Sequence, residues 1–297
     1  YDPQVQPYDY RLYQLLALPV LAVTAPGFAD YDYITDFLTL TFSGSGDVDA
    51  PVEPIDVSLA DPDAGTSACE TSDFAGFTPG DIALIQRGGC TFDVKIANAQ
   101  AAGAAAIVLF NRGGSATGPS FGSISTPADV PVLTTTFAIG SDLATTPGTE
   151  LYVSVDAAIT TKHSVNVIAD TPAGRTDRTV VVGGHLDSVP AGPGIDDNGS
   201  GVSYLIELAT QLRRLGIVPT NRVRFAFFGS EEDGLNGSKA YVASLNTQQR
   251  RDIRAYLNFD MLASPNYARF VYDGSTGPAG SLAIQQAFQA ALASRGL

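Results

Sequence analysis

Thr179–Gly201, TVVVGGHLDSVPAGPGIDDNGSG, is the stretch on which the fold turns. It opens on Thr179-Val180-Val181-Val182, an apolar, β-branched run that predicts a buried strand. Beyond it Val202, Leu205, Ile206, Ala209 and Leu212 recur at helical spacing, and the pattern stops at Gly216. The glycine-rich middle is therefore the loop system between a strand and the helix that follows. In open α/β sheets ligands bind at the carboxyl ends of the strands. This loop holds one His and three Asp, and its glycines let the backbone turn sharply and approach a ligand closely. The combination predicts a metal site.

The 297 residues suffice for two domains. A hydrophobic fraction of 44% fits a globular protein. The net charge of −14 argues against nucleic acid and anionic membranes, both of which need clustered Lys and Arg. No apolar run approaches the roughly 18 residues of a membrane helix. Leu15–Val23 has the length of a signal-peptide core, but it follows an acidic, Tyr-rich start, and is read as buried strand or turn. The first residue is Tyr1, which fits a processed or truncated form. The two cysteines, Cys69 and Cys90, share one Gly-rich segment with no CxxC and no nearby His. A disulfide across a short loop favours an oxidising compartment; the alternative is two separate buried thiols.

In order along the chain, residues 1–45 are rich in Tyr and Leu, and Leu38–Phe42 alternates like a strand. Composition shifts at Gly44 toward Gly, Pro and Asp. Asp81–Arg87, Thr91–Gly103 and Ala104–Phe110 then read as strand, helix and strand, a unit that favours parallel pairing. Further strands fall near Pro131–Phe137 and Glu150–Val155, after polar loops. From Thr161 strands and helices alternate: strands at Ser164–Ala169, Val180–Val182, Arg222–Phe228 and Ala255–Leu262, helices at 201–215, Ser238–Leu245 and Ser281–Arg295. The expected fold is α/β, a doubly wound, mostly parallel sheet flanked by helices. A smaller β-rich α/β domain, residues 47–160, is inserted into a domain made of 1–46 and 161–297.

The chemistry-bearing residues of the second α/β region all follow strands. His185 and Asp187 follow Val180–Val182, Asp197 precedes the helix, Glu231 and Glu232 follow Arg222–Phe228, and Asp260 lies near the end of Ala255–Leu262. Parallel strands end on one side of a sheet, so these groups can converge. One imidazole with several carboxylates suits Zn²⁺ or a similar divalent ion. Of two adjacent glutamates, one can ligate while the other acts as a general base toward water. The spacing His185-x-Asp187 lets the Asp187 carboxylate take the imidazole's second N–H. Each residue alone reads as a turn, cap or solvated loop; three such sites, each after a strand, do not. There is no G-x-x-x-x-G-K-[ST]. The Asn-Gly-Ser sequences at Asn198 and Asn236 are read as turns, and His163 is not read as a ligand.

GGHLDSV, GPGIDDNGSG, FFGSEEDGLNGSKAYV and YLNFDMLASPNYARFVYD, in that order, resemble the M28 family of zinc aminopeptidases, of the secreted Streptomyces type. GFTPGDIALIQRGGCTFDVKIANAQAAGAAAIVLFN resembles a protease-associated (PA) domain. The resemblance implies a zinc exopeptidase fold and two zinc ions per active site. It places His185 and Asp260 on one zinc, Glu232 on the other, Asp197 bridging both, and Glu231 as general base. It also implies a cis peptide after Asp197, a Cys69–Cys90 disulfide, a monomer in an extracellular setting, and a peptide substrate with a free N-terminus, with apolar first residues preferred. The family pattern ends on a further metal-binding His, and this sequence has none after Asp260. On that ground, and because family members carry helical sequence before the Tyr-rich strand, the chain is expected to be truncated at both ends, with a weak second zinc and little activity of its own. Competing expectations are a carboxypeptidase or glutaminyl cyclase on the same fold, and a non-catalytic binding protein built around the PA-like domain.

Overall fold

The computed structural model describes residues 1–61, 64–114 and 118–297. Of the polar loop expected after Phe110, residues 115–117 lie outside the described residues. The elements in order are β1 (Gln4–Leu15), β2 (Val20–Ala25), β3 (Ala29–Asp30), β4 (Phe37–Thr39), β5 (Gly46–Ile55), β6 (Ile82–Gln86), α1 (Phe92–Ala101), β7 (Ala106–Phe110), β8 (Val132–Thr135), α2 (Phe137–Thr145) and β9 (Glu150–Val155). Then come β10 (Ala157–Asp170), β11 (Arg175–His185), α3 (Gly199–Arg214), β12 (Asn221–Phe228), α4 (Asn236–Ser244), α5 (Thr247–Asp252), β13 (Ile253–Asn258) and α6 (Ser281–Ala293).

The chain divides into two units, Tyr1–Tyr10 with His163–Leu297, and Arg11–Lys162. In the first, the sheet order is β1-β10-β12-β11-β13. β11 lies parallel to both β12 and β13, while β10 runs antiparallel to β12. Val180 and Val182 of β11, with Phe225 and Phe227 of β12, pack against Leu205 and Leu208 of α3 and Phe288 of α6. Val181, Ala226 and Phe228 face the other way, onto Tyr241 of α4. The central strands are thus covered on both faces, which is why they read as unbroken apolar runs. β1 sits at the sheet edge, where Pro7, lacking an N–H, is tolerated.

In the second unit the order is β3-β2-β9-β5-β6-β7-β8-β4. β5 through β8 pair in parallel. Ala83 and Ile85 of β6 pack with Ile96 and Ala99 of α1, whereas Ile82 and Leu84 pack on the opposite face with Leu143 of α2. Helix α2 replaces the end of the strand expected through Phe137; Thr136 caps it, its hydroxyl accepting from the Ile139 N–H at 3.1 Å. Cys69 and Cys90 are bonded, closing a loop that lies over α1. There Lys95 is fully buried and donates to the Ser67 carbonyl; burial pulls its amine down to about 8.

The inserted segment begins earlier than the composition shift at Gly44 indicates. Residues 11–46 lie in the second unit, because Leu21 of β2 and Phe37 of β4 share one core with Leu151, Val153 and Phe110. The shift at Gly44 marks the start of β5, inside that unit.

Candidate metal centre

β11 ends on His185, 4% exposed, at the carboxyl edge of the parallel strands. Its Nδ1 lies 2.9 Å from the main-chain carbonyl of Asp187. A carbonyl only accepts, so Nδ1 carries the proton and Nε2 faces the site. Nε2 is 3.0 Å from Asp197 Oδ1 and 3.4 Å from Asp260 Oδ2. One ligand atom each from His185, Asp197 and Glu232 lies within 4.8 Å of the other two, a spacing compatible with metal ligands.

Each carboxylate has its own support. Asp197 directly precedes Asn198, the N-cap of α3, so its charge sits at the positive end of a 16-residue helix. The Asp197–Asn198 peptide is cis. Asn198 is buried; its Oδ1 accepts from the Gly201 N–H (3.0 Å) and its Nδ2 donates to the Phe259 carbonyl (3.0 Å). The Phe259 N–H in turn donates to the Gly183 carbonyl (2.9 Å), which carries the register of β13 one residue past its end. At Met261 the chain turns with φ of 50°. Asp260 is held between those two points, beyond the strand that was expected to run to Leu262.

Asp187 does something different from what its spacing suggests. Its carboxylate accepts from the N–H groups of Glu231 (3.0 Å) and Glu232 (3.1 Å), and its nearer oxygen is 3.7 Å from His185 Nδ1. The carbonyl of Asp187 therefore fixes the imidazole, and its side chain fixes the glutamate pair. Two adjacent, otherwise orphaned amides outcompete one imidazole for the carboxylate. His163 pairs with Asp9 at 2.6 Å on an exposed surface and takes no part in the cluster.

The cluster is electrostatically unfinished. Glu232 Oε1 and Asp260 Oδ1 are buried without a hydrogen-bond partner. Burial, then the nearby Asp197 and Glu231 charges, raises the Glu232 carboxyl; burial and Asp197 raise Asp260, against the pull of His185. Glu231 is raised by burial and by Asp260, Asp187 and Asp197, again against His185. For His185 burial pushes downward, but Asp260, the Asp187 carbonyl and the Glu231 and Asp187 carboxylates outweigh it and raise it. Converging carboxylates with bare buried oxygens around one imidazole nitrogen are what a divalent cation would complete, so the donor set fits zinc.

A raised pKa means that the folded state holds its proton more tightly than the unfolded one. These four groups therefore stabilise the metal-free chain at low pH and lose that contribution as pH rises through the folded values. The melting temperature of the metal-free chain is expected to fall between about pH 5 and 8, and zinc at neutral pH to restore it. A midpoint flat or rising across that window contradicts the account.

Sequence reading missed Asn198 as a support, although an Asn ahead of Gly-Ser-Gly and a helical pattern is an N-cap signal. It also missed Tyr256, whose O–H donates to Asn258 at 2.6 Å and whose ring covers Gly183 so closely that a Cβ there would lie 2.9 Å from it.

Fold and site together define an α/β protein with a His–carboxylate metal cluster at the carboxyl edge of its parallel strands. Residues 166–297 match the family model Peptidase family M28, and residues 54–143 match PA domain. Residues 166–297 thus form a peptidase family M28 segment, with a PA domain ahead of it at residues 54–143. It is 41% identical, over all of its length, to the Aminopeptidase of Pseudomonas aeruginosa, covering 57% of that protein. Over 86% of its length it is 40% identical to the Probable leucine aminopeptidase 2 of Aspergillus fumigatus, covering 51% of it. Among solved structures it resembles the aminopeptidase of Aneurinibacillus sp. strain AM-1, with a TM-score of 0.70, 29% identity and coverage of 89% of this chain and 62% of that one. It also resembles BSAP, a zinc aminopeptidase from Bacillus subtilis, with a TM-score of 0.54, 28% identity and coverage of 88% and 59%. The chain thus spans about half the length of the curated relatives it matches.

Proposed function

We propose that the protein carrying this chain is a zinc metallo-aminopeptidase, which removes N-terminal residues from peptides. The observation that carries this reading is the pair of bare, buried oxygens, Glu232 Oε1 and Asp260 Oδ1, beside the open Nε2 of His185. Zinc, rather than another divalent ion, is supported by the similarity to the Bacillus subtilis zinc aminopeptidase. His185 and Asp260 would hold one ion, Glu232 a second, and Asp197 would share itself between them. When bound, zinc supplies Lewis acidity toward a peptide carbonyl and a water molecule.

The chain's own residues supply the rest. Glu231 is the general base: its carboxylate accepts a proton from the attacking water and returns it to the leaving amine. Its raised pKa brings it nearer neutrality, where a base both stays ionised and binds a proton well. Asp187 holds the backbone of Glu231 and Glu232, so the base and the ligand cannot exchange places. The surplus of carboxylates favours a substrate whose α-amine is free and charged. The Cys69–Cys90 disulfide supports an extracellular setting, and a monomer is the expected state. Among the described residues no helix is long and apolar enough to cross a membrane.

The test is a short peptide offered with its N-terminus free and acetylated. The account expects release of the first residue from the free peptide only. Equal cleavage of the acetylated form would indicate a carboxypeptidase and contradict it.

A further inference from the structure

Loop Gly229–Gly237 carries both Glu231 and Glu232, and its two ends are tied by a side chain from another strand. The Gly237 N–H donates to the Gly229 carbonyl (3.0 Å), closing the neck of the loop. Asn166 of β10, fully buried, spans that neck. Its Nδ2 donates to the Gly237 carbonyl (2.9 Å) and to Gln6 Oε1 (3.0 Å), and its Oδ1 accepts from the Gly229 N–H (3.2 Å). The edge strand β1 adds two more ties: the Tyr8 O–H donates to the Gly229 carbonyl (2.6 Å) and the Tyr10 O–H to the Asp233 carboxylate (2.6 Å).

The fit at the neck leaves no space for substitution. A Cβ at Gly237 would lie 2.4 Å from Asn166 Oδ1, and one at Gly229 would lie 2.5 Å from the Ser164 hydroxyl. The loop also runs through left-handed backbone at two non-glycine residues, Ser230 (φ 53°) and Leu235 (φ 61°). Side-chain-bearing residues adopt that region only where surrounding contacts hold them there. The loop is therefore shaped from outside, at its neck by Asn166 and at its tip by Asp187.

We propose that Asn166 is a positioning residue: by joining Gly229 to Gly237 it sets where the Glu231 and Glu232 carboxyls stand. Only an amide serves, since the neck presents one N–H and one carbonyl to a single side chain. Aspartate keeps the acceptor and loses the donor. The catalytic meaning of the clasp rests on the roles of Glu231 and Glu232 given above; the clasp itself does not.

The experiment compares the chain with its Asn166→Ala and Asn166→Asp variants. Hydrogen exchange of the segment 229–237 is read in metal-free protein, and zinc affinity by titration calorimetry. Exchange in the loop should quicken by about tenfold or more in both variants while β12 stays protected. Zinc affinity should fall about 10- to 100-fold, as when other outer supports of a metal site are removed. Asp170→Asn is the control: it lies on the same strand and breaks a two-point pair with Arg224 (2.7 Å at each contact), so it lowers the melting temperature without moving loop exchange or zinc affinity. If Asn166→Ala does not fold, Tyr8→Phe, which removes only the hydroxyl on the Gly229 carbonyl, should quicken loop exchange by about threefold. Loop exchange unchanged from wild type, or zinc affinity lowered no more than by Asp170→Asn, would overturn the proposal. A wild-type chain that takes no zinc would sink the metal reading alone, because loop exchange still decides for or against the clasp.

Discussion

Replacing Glu231 by Gln is expected to lower kcat of the protein carrying this chain by about 10²- to 10⁴-fold, with zinc content and melting temperature near wild type. The amide keeps the size of the side chain and its backbone bond to Asp187 Oδ1, so the loop and the neighbouring Glu232 stay in place. What is lost is the only property the account assigns to Glu231, a carboxylate that takes a proton from water. KM should change little, since Glu231 has no part in holding the ground-state peptide. The pH profile separates this from simple damage. In wild type the acid limb of kcat/KM follows the raised Glu231 carboxyl, and that limb disappears in the variant. A Glu231→Gln protein with wild-type kcat would remove Glu231 from the mechanism.

Gly201→Ala is expected to cost about 2–5 kcal/mol of stability, the sum of a steric overload and a damaged helix cap. A Cβ at Gly201 would lie 2.2 Å from the Phe259 carbonyl oxygen and 2.4 Å from Asn198 Oδ1. Neither neighbour can yield freely. The carbonyl belongs to the residue before Asp260, and it accepts the Asn198 Nδ2–H that ties the start of α3 to the end of β13. Pushing them apart separates Asp197 from Asp260, so zinc binding should weaken together with stability. Urea unfolding of the metal-free variant measures the first effect and zinc titration the second. A variant with an unchanged midpoint would mean that α3 is not packed on β13 as described.

These two residues mark how far the sequence alone can be read. Glu231 was legible because it follows RVRFAFF, a strand whose last residues, Phe225–Phe228, are apolar on both faces, and parallel strands place whatever follows them on one edge. His185, Asp197, Glu232 and Asp260 were legible for the same reason. Gly201 was visible only as one of several loop glycines; that it touches Phe259, 58 residues away, is a packing fact with no local pattern. The Asp187 carboxylate was assigned to His185 from spacing, and geometry gives it to the backbone of a different loop. Strand β1 was read only as Tyr-rich chain, because an edge strand half in solvent has no continuous apolar run. The first boundary was set at 46 from composition, but Leu21 and Phe37 choose their unit by the core they fill.

The central claim is that this cluster is a zinc site. Calorimetric titration of the metal-free chain with zinc at neutral pH, in wild type and in His185→Ala, tests it most directly. The account predicts saturable zinc binding to wild type, with proton release as the raised imidazole gives up its proton, and loss of the tight phase in His185→Ala. Zinc binding that is absent, or that is the same with and without the imidazole, would contradict it.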